Sequence, residues 1–372
     1  MEKSKKIKTA AIIAAAVILS LLFLDLASRL CMPKYMSGAL DGAFIAEYYD
    51  ETLPHDVIFV GDCEVFSNIS PVAMWREYGI TSFVRGSAQQ LIWQSYYLLE
   101  EMLAAETPRA VVFNVLSLKY NEPQKEAYNR ITLDGMKLSK YKLAAVEASM
   151  LKGNKDADTG EVTNESFLSY IFPLLRFHSR WSSLTSDDVK YLFRRDKVTH
   201  NGYYMRVDAN GVSPDQLPSV RPLDDYTFGQ TAMSYLDKMA ALCEEKGVEL
   251  ILMKAPSLVP HWYDEYEAQI DNYAESHGLR YINVLKAASD IGIDYETDTF
   301  DRGMHMNLSG AEKVTHYIGG ILSGEFGIPD RRGDDKYATV WAEKERFYDE
   351  MITAQTEELR ELGHLIHFGA AG

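Results

Sequence analysis

Cysteine is scarce in this 372-residue chain, with Cys31, Cys63 and Cys243 far apart and in no CxxC spacing. A disulfide framework and a Cys/His zinc site are therefore not expected. The nine histidines form no HExxH pair, and the phosphate-binding patterns GxGxxG and GxxxxGK[ST] are absent. We therefore expect no metal and no cofactor, and we do not expect a nucleotide enzyme.

Basic residues are also in the minority. Lys and Arg number 38 against 54 Asp and Glu, which gives a formal net charge of -16. Proteins that bind nucleic acid neutralise its phosphates with a basic face, so nucleic acid is not an expected partner. Hydrophobic residues make up 47% of the chain, which is enough for a sizeable core and excludes a disordered protein. The length favours two domains, or one large domain with an insertion.

The N-terminus resembles a membrane anchor. Several lysines between positions 3 and 8 precede an apolar run over residues 9–24, and Asp25 interrupts the run. A basic flank places the N-terminus inside the cell, although the run is shorter than the roughly 20 residues of a comfortable span. A cleaved signal peptide is the alternative, but no clear small-x-small cleavage site follows. We favour an uncleaved, single-pass anchor over residues 1–32 in the cell membrane, with the rest of the chain outside the cytoplasm.

Short apolar runs alternate with helical patterns along much of the remaining chain. The predicted strands cover residues 56–60, 81–84, 110–115, 248–253 and 280–284. The predicted helices between and after them cover residues 70–78, 88–104, 228–246, 264–277 and 309–322, and the last opens with a capping-box pattern from Ser309 to Glu312. This alternation predicts an α/β fold with a flavodoxin-like, doubly wound parallel sheet of about five strands.

The alternation divides the chain beyond the anchor into four segments. Residues 33–119 and 228–325 form the two halves of the α/β domain, separated by a mostly helical insertion over residues 120–227. We expect its helices near 136–151 and 166–193. Arginines interleaved with aromatics in this insertion favour either a site for sugars or phosphates or a packed helical lid. The tail, residues 326–372, is charged and helical, and we expect it to pack outside the core.

Chemically useful residues follow the predicted strands. In an open parallel sheet, ligands bind at the carboxyl ends of the strands. Residues 61–64 (Gly-Asp-Cys-Glu) follow the first strand, residues 85–87 (Arg-Gly-Ser) the second, Asn114 the third and Lys254 the fourth. A loop with His305 precedes the last helix. The sequence thus places a nucleophile and a histidine at one edge of the sheet.

These blocks resemble those of the SGNH (GDSL-like) hydrolase superfamily. Its Gly-Asp-Ser block corresponds to residues 61–63, and its Asp-x-x-His block corresponds to Asp301 with His305. Residues 307–313 are similar to a run found in membrane-anchored SGNH-like proteins that modify cell-envelope polymers. Those proteins resemble partners of membrane-bound O-acyltransferases, including the proteins of lipoteichoic acid D-alanylation and alginate acetylation.

The resemblance implies a role for each residue of the site. Cys63 corresponds to the nucleophile, His305 to the general base and Asp301 to the acid that orients the base. Gly86, through its backbone N–H, and Asn114, through its side chain, correspond to the oxyanion donors. Such an enzyme forms a covalent acyl intermediate and stabilises the oxyanion that develops on the carbonyl.

The sequence departs from the family pattern at two positions. Cys63 replaces the catalytic serine, and Asp301 lies four residues before His305 instead of three. A cysteine attacks only as the thiolate, and the carboxylates of Asp62 and Glu64 on either side of Cys63 should raise its pKa. Cys63 as a small buried residue of a degenerate site therefore remains an alternative.

Three functions remain open from the sequence. The first is an extracytoplasmic, membrane-anchored esterase or acyltransferase that acts on a cell-envelope polymer with an acyl donor. The second is an inactive SGNH fold that binds glycan or docks on a membrane-bound O-acyltransferase. The third is a purely structural envelope protein. The resemblance on which the first two depend covers residues 54–118 and 228–322.

Overall fold

The computed structural model describes residues 2–33, 42–150, 154–155, 162–163, 165–193 and 197–366. Five parallel strands form the central sheet: β1 (Val57–Gly61), β2 (Ser82–Gly86), β3 (Ala110–Asn114), β6 (Glu249–Lys254) and β7 (Arg280–Asn283). A separate antiparallel pair consists of β4 (Asn154–Lys155) and β5 (Val162–Thr163). The order of the main sheet is β2-β1-β3-β6-β7. This is the flavodoxin-like order, so the predicted fold class is confirmed.

Helices precede, connect and follow these strands, and some of them cover the two faces of the sheet. In the first half of the chain they are α1 (Glu2–Cys31), α2 (Ala43–Ala46), α3 (Cys63–Asn68), α4 (Pro71–Tyr78), α5 (Ile92–Ala105), α6 (Glu126–Leu133) and α7 (Lys140–Ser149). In the second half they are α8 (Phe167–Ile171), α9 (Leu174–Phe177), α10 (Ser186–Phe193), α11 (Gln230–Lys246), α12 (Asp264–His277), α13 (Val284–Ile291), α14 (Leu308–Gly324) and α15 (Asp335–Leu362).

The central strands β1 and β3 are apolar along almost their whole length because both of their faces are buried, whereas the edge strand β7 begins with the exposed Arg280. Successive side chains of a strand point to opposite faces. Phe59 and Ile251 accordingly join the core on one face of the sheet, together with helices α4 and α14. Ile58 and Leu252 join the core on the other face, with helices α5, α11 and α12. Parallel strands buried on both faces give continuous apolar runs, which is the pattern that predicted them.

The C-terminal tail forms part of the core, so the expectation that it packs outside the core was wrong. Trp341 of α15 is 2% exposed and stacks on Trp75 of α4, with ring centroids 5.0 Å apart. Tyr348 is fully buried, and its hydroxyl donates to Glu312 at 3.2 Å. The amphipathic pattern of the tail showed that one face of the helix is apolar. It did not show that this face packs against the α/β domain.

The predicted insertion contributes to the core as well. The helix expected near 166–193 is broken into α8, α9, a 3-10 helix at His178–Ser183, and α10. Pro173 lies between α8 and α9, where it ends the first helix because proline lacks an N–H donor. Tyr203 is fully buried in the same core as the tail. Gly202, with a φ of 85°, lies so close to Val84 that a side chain would overlap the Val84 carbonyl.

Helix α1 has the features of a membrane span. Its Lys5–Cys31 portion covers 27 residues, and the most apolar 18-residue window within it has a mean hydropathy of 2.6 and is not buried against the protein. It is long and apolar enough to cross a bilayer. A signal sequence has the same length and composition, so the anchor remains an expectation at this point.

Candidate active site

The turn after β1 presents Cys63 at the carboxyl edge of the sheet. Gly61 has a φ of 155°, and a Cβ there would lie 3.0 Å from the Cβ of Asn114 on the neighbouring strand. Asp62 caps α3, because its Oδ1 accepts a hydrogen bond from the backbone N–H of Glu64 at 3.1 Å. Cys63 is therefore the first residue of α3, and its side chain is partly buried.

The loop that carries His305 is fixed by the residues that follow it. Asn307 caps α14 by accepting from the Gly310 N–H at 3.2 Å, and it donates to the carbonyl of Thr297 at 2.8 Å. Lys313 donates to Asp298 at 2.6 Å and so ties α14 back to the start of the loop. The Asn-x-x-Gly-x-x-Lys spacing therefore holds the loop in place.

The predicted start of α14 needs a small correction. We expected a capping box from Ser309 to Glu312. The capping residue is instead Asn307, and the helix begins at Leu308. The hydroxyl of Ser309 donates instead to Asp298 at 2.8 Å. An asparagine in the extended conformation caps as well as a serine, so the sequence offered two possible starts two residues apart.

Asp301 contacts His305 in spite of its unusual spacing. Its Oδ1 accepts from the backbone N–H of His305 at 2.7 Å, and its Oδ2 lies 2.5 Å from Nδ1 of the imidazole. Arg302 and Gly303 both have left-handed backbone conformations, with φ of 62° and 85°. This tight turn absorbs the additional residue between acid and base. The carboxylate can thus orient the ring and fix the proton on Nδ1.

Cys63 and His305 are close enough to shift each other's pKa, and the ring nitrogen not held by Asp301 is Nε2. Nε2 is buried and has no hydrogen-bond partner among the described residues. Burial raises the pKa of the Cys63 thiol, and Asp62 raises it further, whereas the interaction with His305 lowers it; the net shift is upward. Burial by itself would lower the pKa of His305, but Asp301 and Cys63 raise it to about 10. Both shifts therefore favour the protonated form of each group, the neutral thiol and the imidazolium.

Asn68 joins three parts of the site, and the sequence analysis did not identify it. It lies at the end of α3, and its Oδ1 accepts from the Met306 N–H at 2.9 Å. Its Nδ2 donates to the hydroxyl of Ser257, just after β6, at 3.4 Å. Asn68 is fully buried, so these two bonds satisfy a side chain that would otherwise be costly to bury. The helix that begins with Cys63 is thereby attached to the loop of His305.

A buried ion pair lies beneath Cys63. The ammonium of Lys254, at the end of β6, donates to both carboxylate oxygens of Glu64 at 3.0 Å and to the carbonyl of Ala255 at 2.7 Å. The side chains of Lys254 and Glu64 are 0% and 1% exposed. A lysine at the end of an apolar strand was the sequence signal, because a buried lysine requires a partner.

Further titratable groups surround this pair. Burial and the nearby Glu64 carboxylate raise the pKa of Asp62 to about 7. Burial lowers the pKa of Lys119, and burial together with Asp62 and Cys63 raises that of Tyr120 to about 12. Perturbed pKa values that cluster in this way are typical of functional sites. In the described part of the chain, no group of three or more His, Cys, Asp or Glu residues could hold a metal ion.

The two predicted oxyanion donors lie in different surroundings. Gly86 is directly beside the turn, since a Cβ there would lie 2.8 Å from the carbonyl oxygen of Gly61 and 3.1 Å from that of Asp62. Asn114 is fully buried, and its Nδ2 donates to Asp62 at 3.2 Å and to Glu64 at 2.9 Å. An oxyanion role for Asn114 therefore requires that its amide release one of these carboxylates. Both roles remain predictions.

Comparisons with known proteins identify no family for this chain. No family model matches it, and no curated protein matches it either. Among solved structures, it is similar to a predicted acylhydrolase from Bacteroides fragilis, with 12% identity and a TM-score of 0.37, over 75% of this chain and 94% of that one. It is also similar to an acetyl xylan esterase from Butyrivibrio proteoclasticus, with 9% identity and a TM-score of 0.31, over 74% of this chain and 66% of that one.

The buried ion pair gives a first prediction. Lys254→Met should lower the free energy of unfolding by about 3–5 kcal/mol, because it leaves Glu64 buried without its counter-charge. The double variant Glu64→Gln/Lys254→Met should recover most of this loss. The measurement is urea denaturation of the detergent-solubilised full-length protein. An equal loss in the single and double variants would contradict the account.

The Cys–His contact gives a second prediction. The rate of Cys63 alkylation by iodoacetamide should rise with pH around a midpoint above the roughly 8.5 of a free thiol, because burial disfavours the thiolate. His305→Ala should move the midpoint higher, and Asp62→Asn should move it lower while keeping a capping residue. Alkylated peptides are quantified by mass spectrometry, with Cys63→Ala to measure the background from other cysteines. An unchanged midpoint in His305→Ala would show that the two side chains are not coupled.

Proposed function

We propose that this protein is an esterase or acyltransferase that uses Cys63 as its nucleophile and is anchored in the membrane by α1. The observation that carries the proposal is the arrangement of His305. Its Nδ1 is held by Asp301 at 2.5 Å, while its buried Nε2 is left for Cys63. A catalytic triad has this order: a nucleophile (Cys63), a base (His305) and an acid that orients the base (Asp301).

The chemistry follows from these contacts. On this proposal the thiolate of Cys63 attacks the carbonyl carbon of an ester, and the backbone N–H of Gly86 donates to the oxyanion that develops. The C–O bond breaks, the leaving alkoxide takes the proton from the His305 imidazolium, and a thioester remains on Cys63. His305, now neutral, then accepts a proton from water or from an acceptor hydroxyl as that oxygen attacks the thioester carbonyl, and the C–S bond breaks to release the acyl product and return Cys63 to the thiolate. Hydrolysis and acyl transfer differ only in this acceptor.

The anchor favours a substrate outside the cytoplasm. The lysines in the first turns of α1 favour a cytoplasmic N-terminus, so we expect the α/β domain on the outer side of the membrane. A polymer of the cell envelope is then within reach of an anchored site. The net charge of -16 opposes binding of an anionic polymer such as a teichoic acid, so we favour a neutral polysaccharide.

A second candidate is an inactive fold that binds glycan or docks on a membrane-bound O-acyltransferase. Two observations favour it: the pKa of the Cys63 thiol is raised, and both hydrogens of the Asn114 amide are engaged with carboxylates. A thiol that stays protonated is a poor nucleophile. The two candidates differ in whether the chain hydrolyses esters at all.

Ester hydrolysis separates them. The wild-type protein should hydrolyse p-nitrophenyl acetate, and Cys63→Ala or His305→Ala should lower kcat/KM by roughly 10³–10⁴-fold. Asp301→Asn should cost less than His305→Ala if orienting the ring is its main role, and the rate should increase with pH as the thiolate forms. Cys243→Ala is the matched control, since Cys243 is buried on α11, away from the proposed triad. Equal rates for wild type and Cys63→Ala would favour the inactive fold.

A further inference from the structure

Large apolar side chains are exposed on the predicted insertion, in the segment that follows α7. Trp181 is 72% exposed and Phe193 is 87% exposed. We call the set the insertion apolar face, and its members are Leu168, Phe172, Leu175, Trp181, Val189 and Phe193. Exposed apolar side chains concentrated in one segment mark a surface that contacts a partner or a membrane.

This segment packs against the end of α1. The helices α9 and α10 and the 3-10 helix at His178–Ser183 all contact α1. On α1 the contact is confined to the last turns, where Cys31 is buried and Leu30 is partly covered, whereas residues 9–26 are exposed. The insertion apolar face therefore lies beside the C-terminal turns of α1, next to the end of its exposed apolar stretch.

The charged groups of the segment are held by partners within the protein. Arg180 donates to the carbonyl oxygen of Cys31 at 2.9 Å, and its other terminal nitrogen pairs with the buried Asp188 at 3.1 Å. Arg176 pairs with Glu126 at 3.1 Å. The Arg180 bond fastens the segment to the last turn of α1, and both arginines are paired, while the large apolar side chains are exposed.

The position of the face along α1 corresponds to the edge of a bilayer. A hydrocarbon core of about 30 Å takes about 20 residues of helix. A span that begins at Thr9 thus ends near Ser28, and the turn at Cys31 lies at the level of the headgroups. Tryptophan favours this level, because its ring is apolar and its N–H needs a polar partner.

We infer that the insertion apolar face is embedded in the outer interface of the lipid bilayer that α1 crosses. The inference rests on the membrane anchor of the proposed function. It adds a second attachment next to the first, which holds the α/β domain at a fixed orientation on the membrane. A single helix with nothing beside it would leave the domain free to tilt.

Tryptophan fluorescence provides the test. The other four tryptophans, at positions 75, 93, 262 and 341, are 7% exposed or less, so Trp181 is the one within reach of lipid. The full-length protein is reconstituted in phosphatidylcholine vesicles whose acyl chains are brominated either near the headgroup or near the bilayer centre. The wild-type signal minus that of Trp181→Phe isolates Trp181. We expect this signal to be quenched several-fold more by the shallow bromines than by the deep ones.

Matched variants distinguish contact by this face from general proximity to the membrane. Leu175→Asp/Phe193→Asp should reduce the quenching of Trp181, whereas Leu362→Asp, at an exposed leucine at the end of α15, should leave it unchanged. A Trp181 signal that is identical in brominated and unbrominated vesicles would overturn the inference, and would leave the face for a protein partner.

Separate readouts report on the proposed function in the same vesicles. Retention of wild type and Trp181→Phe after alkaline carbonate extraction reports on α1, and hydrolysis of p-nitrophenyl acetate reports on Cys63. Loss of wild type on extraction would refute the anchor, and with it the inference. Retention without Trp181 quenching would refute the inference alone.

Discussion

The ion pair of Lys254 and Glu64 is the constraint on which the site depends. Glu64 follows Cys63 on α3, Lys254 ends β6, and Asn114 of β3 bonds to Glu64, so one buried cluster joins three elements at the carboxyl edge of the sheet. Two carboxylates beside a thiol would repel the thiolate, and the ammonium compensates for one of them. Because a charge in this interior is costly without its partner, the pair also fixes where α3 begins and where Cys63 points.

The second constraint is the contact between Asp301 and His305. Asp301 binds both the backbone N–H and the ring of His305, which leaves one ring nitrogen for Cys63. The raised pKa values of Cys63 and His305 place the reactive thiolate at alkaline pH in the resting protein. On our account, substrate binding or the membrane environment must favour the thiolate–imidazolium pair.

Much of the fold was predictable, because strands buried on both faces leave continuous apolar runs that need no tertiary information. The site was less so. The four-residue spacing between Asp301 and His305 did not show whether the two side chains meet. They do so through a turn in which Arg302 and Gly303 are left-handed, and the sequence has no signal strong enough to predict that turn. The tail was misplaced because an amphipathic pattern gives a face but not its partner. Lys254 was visible at the end of an apolar strand, but its partner Glu64 and the role of Asn68 could be recognised only once segments far apart in sequence were adjacent.

The central claim is that Cys63 forms a covalent acyl intermediate with the help of His305. The most direct measurement is the intact mass of the full-length protein after brief incubation with p-nitrophenyl acetate and acid quenching. We predict a mass increase of one acetyl group in the wild type, mapped to Cys63 by peptide analysis, and its loss in Cys63→Ala and His305→Ala. The account would be contradicted if Cys63 of the wild type stayed unmodified, or if Cys63 were acetylated at the same rate in His305→Ala as in the wild type.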